Sequence, residues 1–151
     1  MEWNSCQRGV AAGAVLLALA VVPAHSADAQ KGVPTPESVF GFPVGADRKL
    51  FGYAESIGYF KRLAAASKNI KLIDVGTTSF GRTWTVAIIS SEANLKQLDK
   101  YRRMNMRLAH PDGLPDAEAR KLARDGKIIV DISGGLHASE IAGSQHTPQL
   151  A

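Results

Sequence analysis

The chain carries a single cysteine, Cys6, among 151 residues. One thiol cannot close an internal disulfide, and Cys6 lies in the N-terminal segment that reads as a removable signal, so any metal on the remaining chain must be held by imidazole and carboxylate. Long hydrophobic runs are lacking as well. The longest, Val10 to Val22, has 13 residues, whereas a membrane-spanning helix needs about 20. Neither an internal repeat nor a low-complexity tract occurs, so nothing points to a solenoid or a repetitive linker.

The formal net charge is +4 and the pI is near 9.4, but the basic residues are not arranged for nucleic acid. The densest group is Lys100, Arg102, Arg103 and Arg107, with Tyr101 as its one aromatic neighbour on a helix-like stretch. A solvated helix face accounts for it, and nucleic acid is not an expected partner. Attachment to acidic cell-surface polymers is a weaker consequence of the charge.

Residues 1–29 have the layout of a secretory signal peptide. Arg8 supplies the positive start, Val10 to Val22 the apolar run, Pro23 the break, and Ala27-Asp28-Ala29 the small residues at a cleavage site. Cleavage is expected before Gln30, with a cut after Ser26 as the alternative. The expectation is therefore a secreted or periplasmic protein without a stable membrane anchor after cleavage. The remaining 151 − 29 = 122 residues are near the size of one domain and contain no cysteine.

Residues 30–46, with Pro34, Pro36, Pro43, Gly32, Gly41 and Gly45, read as an extended arm, since proline fixes the backbone without donating a hydrogen bond. Phe40 and Phe42 are expected to pin it to the surface. From residue 47 the pattern becomes α/β. Tyr53, Ile57, Phe60 and Ala64 follow helical spacing, which predicts an amphipathic helix over 53–67 closed by Asn69. Ile70 to Val75 and Trp84 to Ile89 read as an antiparallel strand pair joined by a Gly-, Thr- and Ser-rich turn.

Ser90 and Ser91 are N-cap candidates for a helix in which Leu95, Leu98, Tyr101, Met104 and Leu108 recur every three or four residues. Asp116 to Arg124 predicts a short charged helix that Gly126 ends. Lys127 to Ile132, apolar on both faces, predicts a strand buried in a parallel or mixed sheet covered by helices. A last helix is expected to start near Ser139. A strand so apolar calls for more partners than these elements offer, so residues 47–151 are expected to be the front part of a larger domain and unstable alone.

The candidate site lies in "DISGGLHASEIAGSQH", residues 131–146. A strand followed by Gly134-Gly135 and a helix start would set His137 and Glu140 at the carboxyl end of a sheet, where open α/β sheets bind ligands. Positions three apart on a helix lie about 60° apart around its axis, so both side chains could face one ion. Imidazole nitrogen and carboxylate oxygen suit zinc. The plain alternative is a loop histidine beside a carboxylate that complements the first helical turn. His146, six positions beyond Glu140, would face away, and His110 sits in a Pro/Gly loop; both read as surface histidines.

The stretches "YFKRLAAASKNIKLIDVG", "GTTSFGRTWTVAIIS" and "KIIVDISGGLHASEIAGSQHTPQLA" resemble the zinc carboxypeptidases of the carboxypeptidase A type, over roughly residues 45–151. The resemblance implies a three-layer α/β/α sandwich on a mixed sheet, incomplete at the C-terminus here. It also implies a zinc ion (Zn2+) with His137 and Glu140 as its first two ligands, and removal of one residue from the C-terminus of a peptide or protein substrate.

That family's third ligand, a His, comes later in the chain. So do its carbonyl-polarising Arg, its carboxylate-gripping Asn-Arg pair and its Glu general base, so the resemblance implies an inactive fragment with no catalytic residue of its own. Ser139 stands where many members have a substrate-holding Arg, which leaves substrate-binding residues unknown. Arg82 and Trp84 also match, with expected roles in bracing the hairpin turn and filling the core. The alternatives are a zinc amidohydrolase of N-acyl amino acids and a non-catalytic secreted binding module of the same fold.

Overall fold

The computed structural model describes residues 32–137 and 139–151. The signal segment and its cleavage site lie outside the described residues. In chain order the elements are α1 (Pro36–Phe40), α2 (Tyr53–Ala66), β1 (Ile70–Thr77), β2 (Thr83–Ile89), α3 (Glu92–Leu95), α4 (Leu98–Ala109), α5 (Asp116–Asp125), α6 (Ile141–Gln145) and α7 (Thr147–Leu150). The content is mixed α and β, and the sheet is a two-stranded antiparallel pair. No helix among the described residues is long and apolar enough to cross a membrane.

The arm is not extended throughout. Thr35 accepts a hydrogen bond from the Ser38 amide, Pro36 occupies the first turn, and Gly41 ends α1 in the left-handed conformation at φ 76°. Proline at a helix start and glycine at its end are the positions where each costs least. Phe40 does pin the segment: its ring stacks on Phe51 and tilts against Tyr59, while the Tyr59 hydroxyl donates to the Pro34 carbonyl.

Helix α2 begins where Glu55 reaches back to the Gly52 amide at 3.0 Å, satisfying a donor that the helix start leaves unpaired. Its buried residues are Tyr59 and Leu63. The expected stripe through Tyr53 and Ile57 is thus displaced around the helix, because Ile70, Leu72 and Ala87 of the sheet meet Tyr59, Leu63 and their neighbours Phe60 and Ala64. Burial of Leu63 and Ile70 contributes about 1.5–3 kcal/mol each.

The hairpin forms as expected, pairing Ile70 with Ile89 and Leu72 with Ala87, with an irregularity between Asp74 and Gly76. Side chains alternate across a strand, so Trp84, three positions before the inward Ala87, faces away from α2. It is 60% exposed. The expectation that Trp84 fills the core is corrected: one helix covers one face of the pair, and Trp84 and Val86 occupy the other. Arg82 does brace the turn, its guanidinium 5.2 Å from the centre of the Tyr53 ring while the Tyr53 hydroxyl donates to the Thr83 carbonyl.

Two further expectations change. The helix after Ser91 is two helices, since Lys96 and Gln97 leave the regular pattern and the Gln97 amide donates to the Asn94 carbonyl, a tighter turn than α. Ser91 is the N-cap, as expected. Lys127 to Ile132 forms no strand. A strand exists only by pairing, and no described segment pairs with it. Ile128, Ile129 and Val130 are 94%, 70% and 73% exposed.

Candidate metal centre

Gly134, Gly135 and Gly143 set the turn that carries His137 and Glu140. A Cβ on Gly134 would sit 2.4 Å from the Gly143 carbonyl oxygen, and one on Gly143 would sit 2.7 Å from the Gly135 nitrogen. Gly135 has φ 77°, a conformation that costs glycine little. The loop therefore lies backbone to backbone against α6, and the chain has to reverse between Gly135 and Glu140. The reversal closes with the Glu140 amide donating to the His137 carbonyl at 3.0 Å.

Glu140 is the residue preceding α6 rather than a member of it, and His137 lies in the turn before. The two are brought together by this turn, not by a shared helix face as expected from their spacing. His137 Nδ1 and Glu140 Oε1 are 2.6 Å apart, and the His137 amide donates to Glu140 Oε2 at 3.0 Å.

A carboxylate accepts only, so in the short contact Nδ1 is the donor and Glu140 Oε1 the acceptor. The bond from the His137 ring, and after it the backbone bonds, hold the Glu140 carboxyl below its usual range. Both side chains remain reachable, at 69% and 46% exposure.

Imidazole nitrogen and carboxylate oxygen are donors that zinc accepts, at bond lengths of about 2.0–2.2 Å. Two such donors on a tetrahedral ion stand about 3.3 Å apart. The present 2.6 Å is a hydrogen-bond spacing. An ion between them would replace the shared proton and widen their separation by about 0.7 Å, a small shift for exposed side chains. The pair fits as two ligands.

Among the described residues no group of three His, Cys, Asp or Glu side chains comes together. His146 instead turns Nδ1 to the Gly143 carbonyl at 2.5 Å, and His110 caps the end of α4. Neither joins the pair. A catalytic zinc usually has three protein ligands and a water, so no catalytic step follows from these residues.

One part of the site has no sequence pattern behind it. The Phe51 amide donates to Gln145 Oε1 at 3.2 Å, and Gln145 Nε2 donates to the Phe51 carbonyl at 2.9 Å. Both bonds span 94 positions. The last turn of α6 is thereby held to the start of α2, beside the buried Pro148 of α7. Gly143 could have been suspected as a close-approach glycine; nothing local marks Gln145.

No family model, curated protein or solved structure matches the chain.

Proposed function

We propose that the chain is the N-terminal part of an exported zinc-dependent metallocarboxypeptidase, in which His137 and Glu140 are two of the zinc ligands. The observation that carries this reading is the 2.6 Å approach of His137 Nδ1 to Glu140 Oε1 on a glycine-shaped turn, with both side chains open to solvent. Zinc, when bound, supplies a Lewis acid and lowers the pKa of a coordinated water. The role of this chain's residues is to present one nitrogen and one carboxylate to it.

The three-layer sandwich belongs to the same proposal. Two features support it: the exposed apolar stretch Ile128 to Ile132, which pairs with no strand among the described residues, and the face of the hairpin carrying Val86 and Trp84 that α2 leaves open. An apolar strand of this kind is stable inside a sheet with both faces covered. The third ligand, the carboxylate-gripping residues and the general base are assigned to chain after residue 151, and residues 1–151 are expected to be inactive alone.

The test is release of the C-terminal amino acid from a short peptide by the protein expressed from its whole reading frame, with an N-acyl amino acid assayed in parallel. Release from the peptide that stops on chelation and is lost in His137→Ala supports the reading. Cleavage restricted to the N-acyl amino acid moves it to an amidohydrolase. Peptide cleavage unaffected by His137→Ala removes the proposed site.

A further inference from the structure

The His137/Glu140 turn has few buried side chains of its own. Within 134–143 its shape depends on glycine contacts between backbones, which exclude misplacement in one direction but do not fasten the turn to the core. Its firm attachment is at the other end of α6. The Gln145 amide uses both its acceptor and one of its donors on the backbone of Phe51, so it acts as a strand partner would for one residue.

Phe51 is itself fixed by neighbours from the arm. Its ring is buried and lies against Phe40 with centroids 4.2 Å apart and planes 13° from parallel. Phe40 also packs at 5.6 Å against Tyr59, the most buried aromatic residue of α2. A continuous series of contacts therefore runs from α1 through Phe40, Phe51 and Gln145 along α6 to Glu140.

We propose that Gln145 is a positioning residue for the His137/Glu140 pair, and that through Phe51 it makes the placement of that pair depend on the arm helix α1. The functional meaning rests on the metal reading above; the mechanical statement does not. Groups hydrogen-bonded directly to metal ligands typically change metal affinity by about 10–100-fold when removed; Gln145, which reaches the pair only along α6, should change it by less. Linked contacts give non-additive effects when two of them are broken.

The test uses the full chain and two measurements. The first needs no metal: hydrogen exchange at the His137 amide, which donates to Glu140 Oε2. Gln145→Ala and Phe40→Ala should each speed this exchange, with the β1–β2 ladder amides unchanged in Gln145→Ala. The double variant should be no faster than Gln145→Ala alone.

The second is competition for zinc against a chromophoric chelator, where Gln145→Ala should bind more weakly, by less than about 10-fold. Unchanged His137 exchange in Gln145→Ala overturns the proposal, and strictly additive effects of the two substitutions overturn its path through Phe51. Zinc binding that His137→Ala leaves intact would refute the metal reading alone, while the exchange data still decide the positioning role. Should Gln145→Ala fail to fold, Gln145→Glu serves in its place. It keeps an acceptor for the Phe51 amide but sets a carboxylate against the Phe51 carbonyl, and should show the same loosening.

Discussion

Phe40 and Phe51 stack at 4.2 Å between ring centroids, joining a one-turn helix in the arm to the residue that anchors α6. Phe40 is only half-buried, so its truncation should cost less than the 3–5 kcal/mol of a fully buried phenylalanine. Phe40→Ala is expected to lower stability by about 2 kcal/mol, part of it the stacking geometry itself. Urea unfolding followed by far-UV circular dichroism measures this directly, and a loss below about 0.5 kcal/mol would mean the arm is merely laid on the surface.

Leu63 is 5% exposed in a core whose buried apolar members, among the described residues, are Phe51, Tyr59, Ile70 and itself. A core of this size leaves little surplus stability. Leu63→Ala should remove about 3 kcal/mol, enough to leave no cooperative thermal transition. A clear two-state melt in that variant would show that stability comes from elsewhere.

Two glycines should respond oppositely to the same substitution. Gly58 is inside α2, and a Cβ there would meet nothing within 4 Å; Gly58→Ala should stabilise by about 0.8 kcal/mol through helix propensity. At Gly143 the added carbon meets the backbone of Gly135 at 2.7 and 2.9 Å, and backbone cannot rotate aside. Gly143→Ala should cost about 1–3 kcal/mol and part His137 from Glu140. Paired thermal melts test the signs, and the His137 ring resonances report the separation.

These contrasts show what was legible in the sequence. The hairpin was, because Ile70 to Val75 and Trp84 to Ile89 are β-rich runs flanking a turn with glycine at 76 and 81. Helix α2 was legible in extent but not in facing: two apolar stripes overlap at Phe60 and Ala64, and only contact with Ile70 and Leu72 selects the one through Tyr59 and Leu63. Thr35-Pro36 and Gly41 marked the ends of α1, yet three prolines in the segment outweighed them. The His137/Glu140 pair was legible as a pair, while its support from Phe51 depends on tertiary proximity that no spacing encodes.

The Glu140 carboxyl gives a pH-dependent signature. Its proton affinity is lowered in the fold by the His137 ring first and by backbone bonds second. A group of this kind stabilises the folded state at pH above its unfolded pKa, and that contribution fades as pH falls through the lower folded value. In metal-free protein, the Glu140 side-chain carbon should therefore titrate below the ordinary glutamate range, and His137→Ala should bring it back up. An unchanged midpoint in that variant would break the assigned cause.

The exposed run from Ile128 to Ile132 sets the last test, because its two possible environments respond differently to one charge. In the chain of 151 residues Ile129 is 70% exposed, and among the described residues its segment has neither a strand partner nor a covering layer. Unpaired apolar segments of this kind join other chains. Ile129→Lys should therefore reduce self-association, seen as a shift to slower species in sedimentation velocity, while changing stability by no more than about 0.5 kcal/mol. In the protein from the whole reading frame, the proposed sandwich makes the same segment an inner strand. There the lysine would bury an unpaired charge, and the cost should exceed about 4 kcal/mol. Equal tolerance of Ile129→Lys in both proteins would count against the covered strand and the sandwich together.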